Sequence, residues 1–117
     1  KKNLRSDVKN LDFKEVMRVI DLKEELERKM NTPWPKIERA AEICMMSRSK
    51  FVRLFKGIFD KTYYDLYREI RMQKAAELLL EGMSIAETAE NVGFVNKSHF
   101  AKEFKGYFFV DPSSYKL

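Results

Sequence analysis

Only one cysteine, Cys44, and one histidine, His99, occur in the 117 residues. With no second thiol there is no disulfide framework, and with no partner of either kind there is no basis for a metal site or a nucleophile–base pair. A glycine-rich phosphate loop is also missing, so the chain reads as neither a metal- or nucleotide-dependent catalyst nor an enzyme of another kind, and no cofactor is expected. Four glycines and three prolines are too few for a fibrous or low-complexity chain. Long apolar runs are missing too. The longest, such as ICMM (43–46) and YFFV (107–110), fall far short of the ~18 residues that cross a bilayer. The start is charged and lacks a signal peptide's apolar segment. A cytoplasmic protein without membrane contact is expected.

What is present is 44% hydrophobic and 35% charged residues with a net charge of +5. That is the balance of a helix-rich domain able to bury a real core. Cys44, set in an apolar stretch, reads as a buried, unreactive thiol. The distribution of charge says more than its sum: residues 47–56 hold Arg48, Lys50, Arg53 and Lys56 without one acid.

Residues 1–11 are polar and aperiodic, the composition of a linker from an absent upstream domain. Asp12 with Glu15 has capping-box spacing, and apolar positions from Phe13 to Met30 recur at helical intervals, giving a first helix over about 13–30. Pro33 and Pro35 interrupt it, and Pro35 can open a second helix ending near Cys44. Ser47 caps a third, ending near Gly57. Thr62 with Asp65 opens a long fourth helix to about Glu81, closed by Gly82. Ser84 with Glu87 caps a fifth to about Val92, Gly93 makes a turn, and Asn96 caps a sixth to about Gly106. Asp111-Pro112 starts a short seventh. No segment alternates as a strand.

Two stretches repeat: SRSKFVRLFKGIF (47–59) and NKSHFAKEFKGYF (96–108). Phe51, Phe55, Lys56, Gly57 and Phe59 match Phe100, Phe104, Lys105, Gly106 and Phe108, and upstream Ala41 and Cys44 match Ala89 and Val92, with one extra residue in the second turn. Each copy is a short helix with a small alanine, a tight turn, and a capped helix with two phenylalanines one turn apart. This is the layout of a helix-turn-helix, whose second helix can enter a major groove.

With the paired phenylalanines buried, Arg48, Ser49, Val52 and Arg53 face outward on the first such helix, and Lys97, Ser98, Ala101 and Lys102 on the second. Guanidinium grips guanine bidentately, serine bonds base edges, and valine packs on a thymine methyl. The second set is poorer in arginine, so weaker base discrimination is expected there. Lys56 and Lys105, farther along, and the caps Ser47 and Asn96 are assigned to phosphates. A connector of about 20 helical residues spans ~30 Å, close to the ~34 Å between successive major-groove faces.

These residues resemble the DNA-binding domain of the AraC/XylS family of bacterial transcription regulators, over roughly residues 13–116. The most specific parts are SIAETAENVGFVNKSHFAKEFKGYFFVDPSSYK (84–116) and Arg71 with Ala75 in REIRMQKAAELL (68–79). The resemblance implies an all-α fold of seven helices, with two helix-turn-helix subdomains (12–61 and 83–117) joined by a linker helix (62–82). It implies double-stranded DNA as partner and places base-reading positions on the same eight residues. It further implies transcription regulation, as an activator by family habit, with RNA polymerase as a partner. Dimerisation or effector binding would fall to an absent N-terminal domain. Met45, and Asp60 with Phe109, stand where the family has glycine, Tyr63 where proline is common, and Lys116 where arginine is usual.

A helical module that binds only proteins is the competing reading, with Tyr107, Phe108 and Phe109 as its docking patch. In the alternative those three residues close the core of the second subdomain. His99 is read as a surface residue rather than a phosphate contact.

Overall fold

The computed structural model describes residues 12–115, so the expected linker 1–11 and Lys116 lie outside the described residues. Among the described residues there are six α-helices and a 3-10 turn, with no strand: α1 (Phe13–Arg28), α2 (Ile37–Ile43), α3 (Arg48–Phe59), α4 (Tyr63–Leu80), α5 (Ile85–Asn91), α6 (Lys97–Phe108) and the turn Pro112–Tyr115. The expected seventh helix is that 3-10 turn. Four residues are too few for α-type bonding, and Ser114 N–H closes instead on the Asp111 carbonyl three residues back.

The helix starts follow local chemistry. Ser47 Oγ accepts from Lys50 N–H, Thr62 Oγ1 from Asp65 N–H at 3.1 Å, Ser84 Oγ from Glu87 N–H at 3.1 Å, and Asn96 Oδ1 from His99 N–H at 2.7 Å. Helix α2 begins later than Pro35 suggests. Lys36 is extended and offers no side-chain cap, and the orphan N–H of Ile37 donates to Tyr64 OH at 3.2 Å. Helices α3 and α6 both run past their glycines, to Phe59 and Phe108. They stop where Asp60 and Phe109 turn left-handed, at φ 60° and 66°, and donate their N–H groups to the Lys56 and Lys105 carbonyls.

Tertiary contacts divide the chain into two units, one of residues 12–28 with Trp34–Tyr67, the other of Lys29–Pro33 with residues 68–115. The first unit is centred on Phe51, Leu54, Phe55, Val19, Ala40 and Cys44, all almost fully buried. Tyr63 meets Phe51 and Phe55 edge-on, each at 5.5 Å, and Tyr67 stacks on Trp34 at 4.7 Å. The same tyrosines clamp the segment ahead of α2: Tyr63 OH donates to the Pro35 carbonyl at 2.7 Å, and Trp34 N–H donates to Tyr67 OH at 3.1 Å. The second unit packs Met72, Ala75, Leu78 and Leu79 of α4 with Ala89, Val92, Phe94, Phe100 and Phe104, and Met30 joins this core. Arg71 lies 3.6 Å from the Phe94 ring, a cation–π contact that ties α4 to the turn before α6.

Candidate nucleic-acid interface

Each unit contains a short helix, a tight turn and a twelve-residue helix, α2–α3 and α5–α6. The close crossing rests on small residues: Ala40 and Ala41 in the first unit and Thr88 and Ala89 in the second are buried. Thr88 keeps its hydroxyl satisfied by donating to the Ser84 carbonyl at 2.8 Å. The two turns are built alike. Met46 N–H donates to Ala41 O and Met45 N–H to Glu42 O, while Phe94 N–H donates to Ala89 O and Gly93 N–H to Glu90 O. These are two Schellman closures in which Met45 (φ 59°) stands in the left-handed position that Gly93 (φ 85°) fills in the other copy. The missing glycine at position 45 therefore leaves the turn intact and places an ordinary side chain in a strained backbone state.

The second helix of each motif is pinned by its paired phenylalanines. Phe51 and Phe55 are buried and 5.6 Å apart, and so are Phe100 and Phe104 at 5.7 Å. This fixes what points away. Arg48, Ser49, Val52, Arg53 and Lys56 are exposed on α3, as are Lys97, Ser98, Lys102 and Lys105 on α6, with Ala101 partly buried among them. The caps Ser47 and Asn96 are exposed at the head of each helix, their oxygens already accepting the backbone bonds that start it.

The basic groups are not equivalent. Lys50 Nζ bonds Glu15 Oε2 at 2.8 Å, which joins α3 to α1 and takes this lysine out of the free positive face. Arg48 Nε donates to Glu38 Oε2 of α2 at 3.2 Å, both side chains remaining exposed. Arg53, Lys56, Lys97, Lys102 and Lys105 have no ion pair among the described residues. Neither pairing is readable from the chain, because partners 10 and 35 residues away meet only through tertiary packing. His99 is exposed, edge-on to Phe94 at 5.3 Å and 3.9 Å from the Glu103 carboxylate.

Cys44 closes α2 inside the first unit. Its Sγ donates to the Arg18 carbonyl at 3.5 Å and its own carbonyl accepts from Arg18 Nε at 2.9 Å. Burial pushes the thiol up to about 11 against a smaller opposing pull from Arg18. Burial likewise raises the Tyr63 hydroxyl well above its ordinary range. Among the described residues no helix is long and apolar enough to cross a membrane, and no group of three His, Cys, Asp or Glu could hold a metal ion.

A helix-turn-helix domain family matches residues 40–117. An uncharacterized HTH-type transcriptional regulator of Haemophilus influenzae is 36% identical over 81 residues, covering 68% of this chain and 27% of that protein. The HTH-type transcriptional regulator AlkR of Acinetobacter baylyi is 34% identical over 85 residues, covering 72% and 28%. Among solved structures, the C-terminal domain of AraT, a response regulator from Geobacillus stearothermophilus, superposes with a TM-score of 0.75 at 30% identity over 84% of this chain and 82% of that one. The chain belongs to the helix-turn-helix domain family, in its AraC-type form. It spans little more than a quarter of the length of these two curated relatives.

Proposed function

We propose that this chain binds double-stranded DNA sequence-specifically, inserting α3 and α6 into major grooves, and that the protein containing it regulates transcription in the bacterial cytoplasm. The observation that carries this reading is the duplicated geometry: twice, a buried phenylalanine pair turns a capped helix so that two basic side chains, a serine and a small apolar residue form its outward face. Arg48, Ser49, Val52 and Arg53, with Lys97, Ser98, Ala101 and Lys102, read base edges, and Ser47, Lys56, Asn96 and Lys105 hold phosphates. Residues 12–61 and 83–117 act as the two reading subdomains and 62–82 as their connector. Activation through RNA polymerase, with effector binding or dimerisation supplied by further protein, completes the reading.

The protein-only alternative loses its main support. Tyr107 and Phe108 pack on the core of the second unit, Tyr107 also under Arg68 at 5.2 Å, and only Phe109 of that trio is exposed. Titration of duplex binding with salt tests the proposal: neutralised phosphates release counterions, so log Kd should rise steeply and linearly with log salt, and a specific duplex selected from a random pool should outlast random competitors. A chain with no duplex affinity at low salt would refute it.

A further inference from the structure

We infer that Glu38 is a positioning residue for base recognition, holding Arg48 so that its outer guanidinium edge is presented to a guanine; this rests on the DNA-binding reading proposed above. Arg48 is the first residue of α3, where a long side chain on a helix end is free to sweep through many rotamers. The contact with Glu38 restricts it. It uses Nε, and a guanidinium bonded through Nε still offers its Nη1/Nη2 edge, the fork that matches guanine O6 and N7. No further ion pair to Arg48 exists among the described residues. Fixing this rotamer before binding lowers the ordering cost on the correct base without adding any contact to it.

The repeat supplies an internal control. The position matching Glu38 in the second copy, by the same register that pairs Ala41 with Ala89, is Ala86, and the residue matching Arg48 is Lys97. A lysine has no rigid fork to orient, the matching position of the preceding helix is an alanine, and Lys97 has no ion pair to Glu87 or Glu90 of that helix. Orientation by a neighbouring acid is therefore a property of the first motif, and the first motif should discriminate bases more sharply.

Glu38 has a second, separable effect, since its charge near the positive face weakens attraction for any phosphate backbone. Two substitutions at this exposed site divide the effects. Glu38→Gln keeps an oxygen that accepts from Arg48 Nε but removes the charge; Glu38→Ala removes both. Binding of the full chain to a selected duplex and to versions changed at each base pair, at fixed salt, gives the readout, with thermal melting as the folding control. Both variants should bind random duplex more tightly. Only Glu38→Ala should narrow the preference at the base pair that Arg48→Ala also relaxes, by about three- to fivefold, the scale of an exposed ion pair. If the wild-type chain discriminates but Glu38→Ala leaves every preference intact, or both variants shift all duplexes alike, the positioning role is overturned. If the wild-type chain treats all duplexes alike, the DNA-reading proposal itself fails.

Discussion

For Arg53 and Lys56, three residues apart on α3, the proposed reading gives the same positive charge different tasks. Both are exposed and neither is ion-paired among the described residues, but Arg53 shares the N-terminal half of the helix with Arg48 and Val52, whereas Lys56 lies a turn farther along. Arg53→Ala should cost ~1–3 kcal/mol on the selected duplex and relax one base pair. Lys56→Ala should weaken all duplexes alike and reduce the salt slope by about one, as read by competition binding at several salt concentrations. Strain is also a residue-level matter. Phe109 holds φ 66° while the residue is 85% exposed, so it contributes little burial in return. Phe109→Gly should raise stability by about 0.5–1 kcal/mol in denaturant unfolding, the left-handed penalty relieved being larger than the entropy a glycine adds to the unfolded chain.

Among the elements, the turns decide how far each motif tolerates change. Gly82 and Gly93 both sit at positive φ, at 98° and 85°, after α4 and α5. A Cβ on Gly82 meets nothing within 4 Å, but on Gly93 it would press to 3.2 Å on the Met30 carbonyl, which is backbone and cannot swing aside. Gly82→Ala should therefore cost about 1 kcal/mol and Gly93→Ala about 2 kcal/mol or more, compared by the same unfolding measurement. The caps, the repeat and the phenylalanine spacing were legible in the chain, since capping and helical period are local properties. Helix ends were less so. Gly57 and Gly106 looked like stops, yet both are interior, and at Gly106 the missing side chain leaves room for Arg68 Nη2, 3.4 Å from where its Cβ would be. The clamp of Tyr63, Tyr64 and Tyr67 on residues 34–37 was not legible at all, because it links α4 to a segment about 30 residues earlier.

On the scale of the whole molecule, the two units differ in chemistry. The cysteine and the tryptophan both belong to the first unit, where Cys44 and Tyr63 are buried as neutral acids. Below pH 9 the thiol is protonated folded or unfolded. Above it the unfolded chain releases a proton that the folded unit keeps until about pH 11, so stability present at neutral pH is lost as pH rises through that window. Tyr63, shifted in the same direction, adds to the loss from its ordinary range upward. Denaturant unfolding followed by Trp34 fluorescence should show a falling midpoint between pH 9 and 11, with a shallower fall in Cys44→Ala.

The order of amino acids alone determined that the chain is helical, that it states one motif twice, and which face of each repeated helix is apolar, because periodicity, caps and turn residues act over four or five neighbours. Only the tertiary structure decided which of the basic groups are ion-paired, and through which atoms. Along the chain Arg48, Lys50 and Arg53 belong to one run without an acid, but Glu15 of α1 engages Lys50, Glu38 of α2 engages Arg48 through Nε, and Arg53 has no ion pair among the described residues. Charge pairing across helices is a matter of distance in space, and that distance is set by how Phe51 and Phe55 seat α3 against its neighbours.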